Sequence, residues 1–320
     1  MKTPEVSIVI AAYNCGDFIL ETVSSVINQT FKNWELIIVD DCSTDDTSEK
    51  IAALNDNRIR IIRLDKNSGL PAAPRNTGIR AAKGEFIAFL DHDDTWSPEK
   101  LQVQIDYLRE HPEVALIGSP FIIESLDSRY NNTPTTPKTK SLSGNLYKTL
   151  LQCNFFACSS VTVKTSILNN IGFFDEDPLV SAAEDWDLWL RIAKRHKITF
   201  IPQTLGFYRM HGSGLSTEIK RLQRIFYVID KHVKNGMLTF QQASKVKANH
   251  YCIEGWSIIA KNVKLARSMF FHALHSNKSS PRILCGSFLG LLLSLFPNVC
   301  KYIKENSIDR KIKFILNPQD

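Results

Sequence analysis

Three carboxylates, Asp91, Asp93 and Asp94, fall within four positions directly after residues 85–90, a run in which five of six side chains are apolar. Carboxylates packed that closely repel one another, and a hard divalent cation with oxygen ligands would relieve them. A solvated turn leading into a helix accounts for the same residues without any ligand. The chemistry therefore depends on what else the fold brings to this point. Two more acids, Asp40 and Asp41, close a second apolar run at residues 34–39, and a Glu184-Asp185 pair opens a helical pattern that contains Trp186 and Trp189.

The elements that must position these groups follow from periodicity. Residues 6–12 and 34–39 are short, apolar and rich in Ile and Val, which predicts strands buried on both faces. Phe18, Ile19, Val23, Val26 and Ile27 fall on one side of a helix between them, completing a βαβ unit. Ser43 with Asp46 has the spacing of a capping box, predicting a helix through Ile51 and Leu54. Residues 58–64 read as a third strand, Asn67-Ser68-Gly69 as a tight loop, and 71–82 as a helix that tolerates Pro74 in its first turn. After the strand at 85–90, Ser97 as cap and Pro98 at the first helical position predict a helix to about Glu110, and 114–118 a fifth strand. Alternation of this kind implies an α/β fold with a mostly parallel sheet and helices on both faces. Its acids then lie at the carboxyl edge, where open α/β sheets bind ligands.

Beyond Pro120 the pattern loosens. Residues 127–145 are rich in Ser, Thr, Asn, Pro and Lys and read as a long surface loop that could border an acceptor site. Strands are predicted at 159–163, 198–201 and 205–208, and a helix at 182–194. From Ser216 onward the chain reads as helical and basic. Residues 1–216 hold 22 basic and 27 acidic side chains, a charge of −5, whereas 217–320 hold 17 and 6, a charge of +11, within a total of +6. Residues 283–296 are almost wholly apolar but, at fourteen residues, short of the roughly 20 that span a bilayer. Gly286, Gly290 and Ser294 make a narrow stripe suited to close packing. A core helix, an oligomer interface and a segment lying in the membrane surface all fit. Lys278, Arg282, Lys301, Lys304, Arg310, Lys311 and Lys313 favour the last, since each such charge near anionic lipid contributes about 1 kcal/mol. Seven cysteines without Cys-x-x-Cys spacing predict free thiols in a reducing compartment. The first residues carry no apolar signal core, which predicts a cytoplasmic chain.

Taken together, the motifs resemble the family 2 glycosyltransferases, inverting enzymes with a GT-A fold. The resemblance covers residues 5 to about 216. It rests on residues 6–14, 25–30, 35–41, 74–79, 90–94 and 184–189, each weak alone and specific in this order. It implies a GT-A domain at 1–216, with a nucleotide-sugar half at 1–110 and an acceptor half at 111–216, followed by a basic helical extension at 217–320. It also implies a nucleotide-sugar donor, a UDP-sugar by preference, and a divalent Mn²⁺ or Mg²⁺ ion whose charge stabilises the departing diphosphate. Asp93 would be the direct metal ligand, and Asp91 a contact to ribose or metal. Asp94 would be a helix-start residue, and His92 carries no assigned role. The nucleotide would contact Ala11, Tyr13, Asp40, Asp41, Arg75 and Asp91, with Tyr13 bordering the base, Asp40 or Asp41 accepting its ring N–H, and Arg75 pairing with phosphate. Asp185 would be the base that deprotonates the acceptor hydroxyl. Trp186 and Trp189 would form an acceptor platform or, more commonly at such spacing, part of the core, and Asp187 is structural. Tyr208 to Gly214 resembles the family's closing loop, which would bring His211 towards the metal or diphosphate. The implied acceptor is a glycan or lipid-linked saccharide of surface-polysaccharide biosynthesis, at the inner face of a cell membrane.

Other classes fit less well. Nucleotidyl transfer needs a Gly-rich phosphate loop after the first strand, and Ala11-Ala12-Tyr13-Asn14 is not one. Hydride transfer lacks its Gly-x-Gly-x-x-Gly fingerprint. A catalytically inactive sugar-nucleotide-binding protein would have no need to keep Asp91, Asp93 and Asp185 together.

Overall fold

The structure, a computed structural model, describes residues 3–125, 131–135, 142–210, 218–259, 262–276 and 281–295. The chain divides into two compact units, Met1–Tyr147 with Asn154–Leu215, and Lys148–Cys153 with Ser216–Asp320.

The first unit begins with the predicted alternation: β1 Val6–Ala12, α1 Ile19–Ile27, β2 Trp34–Asp40, α2 Thr47–Ala52, β3 Ile59–Arg63, α3 Ala72–Ala81 and β4 Phe86–Asp91. These four strands run parallel in the order β3-β2-β1-β4. Alternate residues of the central strands point to opposite faces. Ile8, Ile10, Leu36, Ile38, Ala88 and Leu90 pack with Ile19, Val23 and Val26 of α1 on one face. On the other, Val9 meets α3, where a Cβ at Gly78 would lie 2.4 Å from Val9 Cγ1. Glycine lets α3 settle onto β1 at that distance.

The following elements are β5 Thr95–Trp96, α4 Lys100–Glu110, β6 Val114–Gly118, β7 Ile122–Ser125, β8 Thr133–Pro134, β9 Leu142–Gly144, α5 Tyr147–Gln152, β10 Thr162–Lys164, α6 Thr165–Ile171, α7 Glu184–Arg195, β11 Lys197–Phe200 and β12 Gly206–Met210. The main sheet has eight strands in the order β3-β2-β1-β4-β10-β6-β11-β9. It is mostly parallel, but β10 runs antiparallel between β4 and β6. A second sheet has the order β5-β12-β7-β8.

Several local expectations are corrected. The helix expected from Ser97 starts at Lys100 with Glu99 as its cap residue and no side-chain cap bond. Gln29 does the capping from a distance: its Oε1 accepts Leu101 N–H (3.0 Å), while its Nε2 donates to Ser97 O (2.8 Å). The Ser43–Asp46 box is also not formed, because Ser43 is spent on Asp40 and Asp45 Oδ1 accepts Thr47 N–H instead (3.1 Å). The strand expected at 159–163 begins three residues later, after a 3₁₀ turn at Cys158–Ser160. Within the expected loop at 127–145, the described residues include β8 and β9, each paired to a sheet.

The second unit takes α5 from Lys148 onward and contains α8 Glu218–Lys234, α9 Phe240–Ile258, α10 Val263–His275 and α11 Pro281–Ser294. A capping box does form at its α9: Gln242 N–H donates to Thr239 Oγ1 (3.2 Å) and Thr239 N–H to Gln242 Oε1 (2.9 Å). Its core is built on Trp256 and Phe270, with ring centroids 5.4 Å apart. Of the small-residue stripe of α11, Gly290 and Ser294 are buried with Ile283 and Ser287 while Gly286 is half-buried, and a Cβ on Gly290 would meet the Phe270 ring at 2.4 Å. The opposite face exposes Leu284, Phe288, Leu289, Leu292 and Leu295, Phe288 by 64%. No helix of the described residues is long and apolar enough to cross a membrane. Phe296, Lys278 and the basic residues from Lys301 onward lie outside the described residues.

Candidate active site

The parallel registers bring Ala12 beside Asp40 and Ala11 beside Asp91, so the ends of β1, β2 and β4 share one edge. Asn14 and Cys42, just past β1 and β2, sit at φ 44° and 62°, which turns the chain sharply off the sheet. Tyr13 stands 42% exposed between them and the edge. Asp40 is buried and filled. Ser43 N–H and Oγ donate to its Oδ1 (2.9 and 2.6 Å), Ser48 Oγ and Arg63 Nη1 to its Oδ2 (2.6 and 2.7 Å). Burial pulls its pKa up, but these hydrogen bonds from Ser43 and Ser48 and the Arg63 charge outweigh it and hold the carboxyl below its ordinary value. A carboxylate has about four acceptor positions, and all four are taken. Among the described residues Asp41 accepts only from Ser68, N–H to Oδ1 (2.9 Å) and Oγ to Oδ2 (2.8 Å).

At β4 the three neighbouring acids separate by environment. Asp91 Oδ1 pairs with Arg75 Nη2 (2.6 Å), and its N–H donates to Ser159 Oγ (3.0 Å). Asp93 is half-buried. Asp94 is 1% exposed and serves as a tether: Ser159 Oγ donates to its Oδ2 (2.5 Å) and Arg209 N–H to its Oδ1 (3.0 Å). It is not a helix-start residue, since α4 begins six positions on. Burial, then the charges of Asp91 and Asp93, push its pKa well up. His92 ties the same edge down, with Nδ1 at 3.0 Å from Ala11 O and its own carbonyl accepting Thr22 Oγ1 (2.9 Å).

Arg75 joins this edge to the start of α7. The guanidinium is buried, with Nη2 on Asp91 and Nη1 on Glu184 Oε1 (2.7 Å). Glu184 Oε2 is buried and has no hydrogen-bond partner among the described residues. Asp185 accepts Trp186 N–H at Oδ1 (2.6 Å) and the Asn154 amide at Oδ2 (3.3 Å). Burial first, and the Glu184 charge second, push its pKa up to about 7, with Arg75 opposing. A carboxyl so placed can exchange a proton near neutrality, as a general base must. Just before it, Ala182 is held at φ 58°, a left-handed conformation that an L side chain resists.

Three comparisons bear on this arrangement. The profile of Glycosyl transferase family 2 matches residues 7–169. A UDP-Glc:alpha-D-GlcNAc-diphosphoundecaprenol beta-1,3-glucosyltransferase from Escherichia coli, WfgD, is 34% identical over 235 residues, which is 72% of this chain and 87% of that one. The chain belongs to glycosyl transferase family 2. A second Escherichia coli enzyme of the same description, WfaP, is 38% identical over 224 residues, 68% of this chain and 83% of its own. The crystal structure of S. aureus TarS 1-349 with UDP-GlcNAc has the same fold, with a TM-score of 0.63 at 18% identity over 95% of this chain and 92% of that one.

In this glycosyltransferase, Ala11, Tyr13, Asp40, Asp41, Arg75 and Asp91 gather around one sheet edge, and Arg75 links them to Glu184-Asp185. His211 lies outside the described residues. Trp186 and Trp189 are 3% and 0% exposed, and Trp189 packs with Phe89 and Phe174, so they belong to the core and form no acceptor platform. Asp187 is structural, as its sequence context predicts, paired with Arg191 (2.8 Å). Among the described residues no three His, Cys, Asp or Glu side chains form a metal cage. Such a cage is not required, because a hard cation on a diphosphate takes one or two carboxylates and completes its shell with phosphate oxygens. The like-charge crowding felt by Asp94 fits Asp93 and Asp91 to that donor set. Ser159 and Asn154 were not legible as site residues, and Glu184 was legible only as the neighbour of Asp185. Ser and Asn in irregular segments give no signal of their own, and the Glu of a Glu-Asp pair gains meaning only through Arg75, 109 positions away.

Proposed function

We propose that this enzyme transfers a sugar, with inversion, from a UDP-sugar to a hydroxyl of a lipid-linked saccharide in surface-polysaccharide assembly. One observation carries the reading: buried Arg75 bridges Asp91 and Glu184, which sets the donor-side acids and a base titrating near neutrality on one cleft. Tyr13 borders the base of the nucleotide, and Asp41, which unlike Asp40 has acceptor positions left, takes its ring N–H. Asp93, with Asp91, would hold a divalent Mn²⁺ or Mg²⁺ ion, which when bound supplies positive charge to the diphosphate. A donor-sugar hydroxyl would satisfy the orphaned Glu184 Oε2, whose burial without a partner is costly. Asp185 removes the proton from the acceptor hydroxyl as its oxygen bonds to the anomeric carbon. The bond from that carbon to the diphosphate breaks, and the electron pair leaves with the nucleoside diphosphate.

Arg75 is then a positioning group. Both ends of its fork are occupied by carboxylates, so a role on phosphate would require one of these pairs to open on donor binding. The names of the two Escherichia coli relatives support UDP-sugar and lipid-linked chemistry. The test is a panel of nucleotide sugars with Mn²⁺, Mg²⁺ or chelator, read as nucleotide release. Metal-dependent release should be lost in Asp93→Ala. Full metal-dependent activity in that variant would refute the site.

The enzyme works as a peripheral protein on the inner face of an anionic membrane, and the exposed apolar face of α11 with the basic charge of residues 217–320 supports this. Vesicles containing anionic lipid should float with the full chain. Phe288→Glu with Leu292→Glu should abolish flotation, and unchanged flotation would remove the helix from the reading.

A further inference from the structure

Helix α3 is buried on two sides at once. Gly78 lies against Val9 of β1, while Arg75 and Asn76 turn to the residues that lead into α7. Asn76 is 2% exposed and its carboxamide is fully engaged. Its Oδ1 accepts Phe174 N–H (3.0 Å), and its Nδ2 donates to Phe174 O (2.9 Å) and to Glu176 Oε1 (2.7 Å). The first two bonds take both backbone groups of one residue, as an antiparallel strand would. Asparagine is a poor helix former because its side chain competes with the backbone, so what Asn76 binds, and not α3 itself, accounts for it.

Three elements meet at Phe174. Its ring centre lies 5.0 Å from that of Phe89, two residues before Asp91 on β4, and 5.9 Å from that of Trp189 on α7, with Arg75 Cζ at 5.3 Å. From α7, Arg191 donates Nη2 to Phe173 O (2.6 Å) and Nη1 to Ile171 O (3.2 Å). Residues 171–176 are thus gripped by α3 through Asn76 and by α7 through Trp189 and Arg191. A separate anchor, Glu184 on Arg75 (2.7 Å), holds the first residue of α7. At 1.5 Å per residue, Trp189 lies roughly 7.5 Å further along the helix. One anchor would let α7 roll about it, and the second prevents this. Successive side chains are about 100° apart around a helix, so roll would swing the Asp185 carboxylate off its line.

We propose that Asn76 is a positioning residue for glycosyl transfer: by holding both backbone groups of Phe174 it fixes the roll of α7, and so the direction in which Asp185 points. The proposal rests on the reading of Asp185 as the base. The bonds of Asn76 go to Phe174 and Glu176 and not to the acids of the cleft, so its effect falls on turnover and not on donor affinity.

Steady-state UDP release by the full chain with Mn²⁺ tests this, with water in the acceptor's place. The donor is whichever of UDP-glucose, UDP-galactose and their 2-acetamido forms the wild type hydrolyses fastest. Asn76→Ser is too short to reach Phe174, and Phe174→Leu keeps the backbone but removes the ring. Each should lower kcat about tenfold or more, since a misplacement of about 1 Å can cost about 10²-fold. The donor KM and UDP affinity should stay near wild type, which also shows that each variant is folded. The acid limb near pH 7 should move, because the burial that sets it, and then the Glu184 and Arg75 charges, depend on where Asp185 lies. Glu176→Gln leaves the Phe174 bonds in place and should match the wild type. An unchanged kcat and acid limb in both variants, with only the urea midpoint lowered, would make Asn76 a stabilising residue and overturn the proposal. A loss of UDP affinity as large as the loss of kcat, or an equal loss of kcat in Glu176→Gln, would overturn it too. If the wild type released UDP from none of the four donors, the glycosyl-transfer reading beneath the proposal would fall instead.

Discussion

The ends of β2 and β4 start from the same sequence pattern, an apolar run closed by acids, and reach opposite chemical states. At β2, the turn that follows supplies Ser43, α2 supplies Ser48 and β3 supplies Arg63, so Asp40 is saturated and its carboxyl is held below the ordinary value. At β4 the partners are few and come from far along the chain. Burial and neighbouring charge then push Asp94, and Asp185 beyond it, upward instead. Local partners turn a strand-end acid into structure. Distant partners make Asp94 a tether between segments, while Asp185, with fewer, is left able to exchange a proton.

Each side of this contrast can be broken. Asp185→Asn should lower transfer by about 10²- to 10⁴-fold with UDP affinity retained. In the wild type, the rate should fall about tenfold per pH unit below about 7, because the base must be unprotonated, and this limb should vanish in the variant. Arg75→Met strands Glu184 as a buried charge without its cation and removes the cation from the part-exposed Asp91, which should cost roughly 3 to 5 kcal/mol in urea denaturation. Adding Glu184→Gln should recover part of that loss. Asp40→Asn should cost less, about 1.5 to 3 kcal/mol, and leave UDP affinity nearly unchanged. The folded pKa of Asp40 lies below its unfolded one, so its contribution to stability is full above about 3.9 and fades as pH falls through the lower folded value. A large loss of nucleotide affinity in Asp40→Asn would overturn its structural assignment.

What was legible in the sequence tracks how local each determinant is. Residues 6–12, 34–39 and 85–90 announced β1, β2 and β4 because a run buried on both faces needs no distant information. Asp91, Asp93 and Asp185 were singled out by type and order alone, and their roles are part of the proposal. The start of α4 was misjudged because Ser97-Pro98 has a cap's appearance, while the bond that counts comes from Gln29, 72 positions earlier. Asp94 was misread for the same reason, as its partners are Ser159 and Arg209. Trp186 and Trp189 show the converse: helical spacing placed them on a face but not on which side of the protein that face would lie.

The insertion of β10 between β4 and β6 orders events during synthesis. Strands β1 to β4 can pair with one another once residue 91 has emerged, because each finds its neighbour among earlier residues. The far half of the sheet cannot join until residues 162–164 arrive to bridge the gap, and Asp185 is made later still. Chains emerge from the ribosome at about 5 to 20 residues per second, so for several seconds a nascent chain can hold the edge formed by β1, β2 and β4 before Asp185 exists.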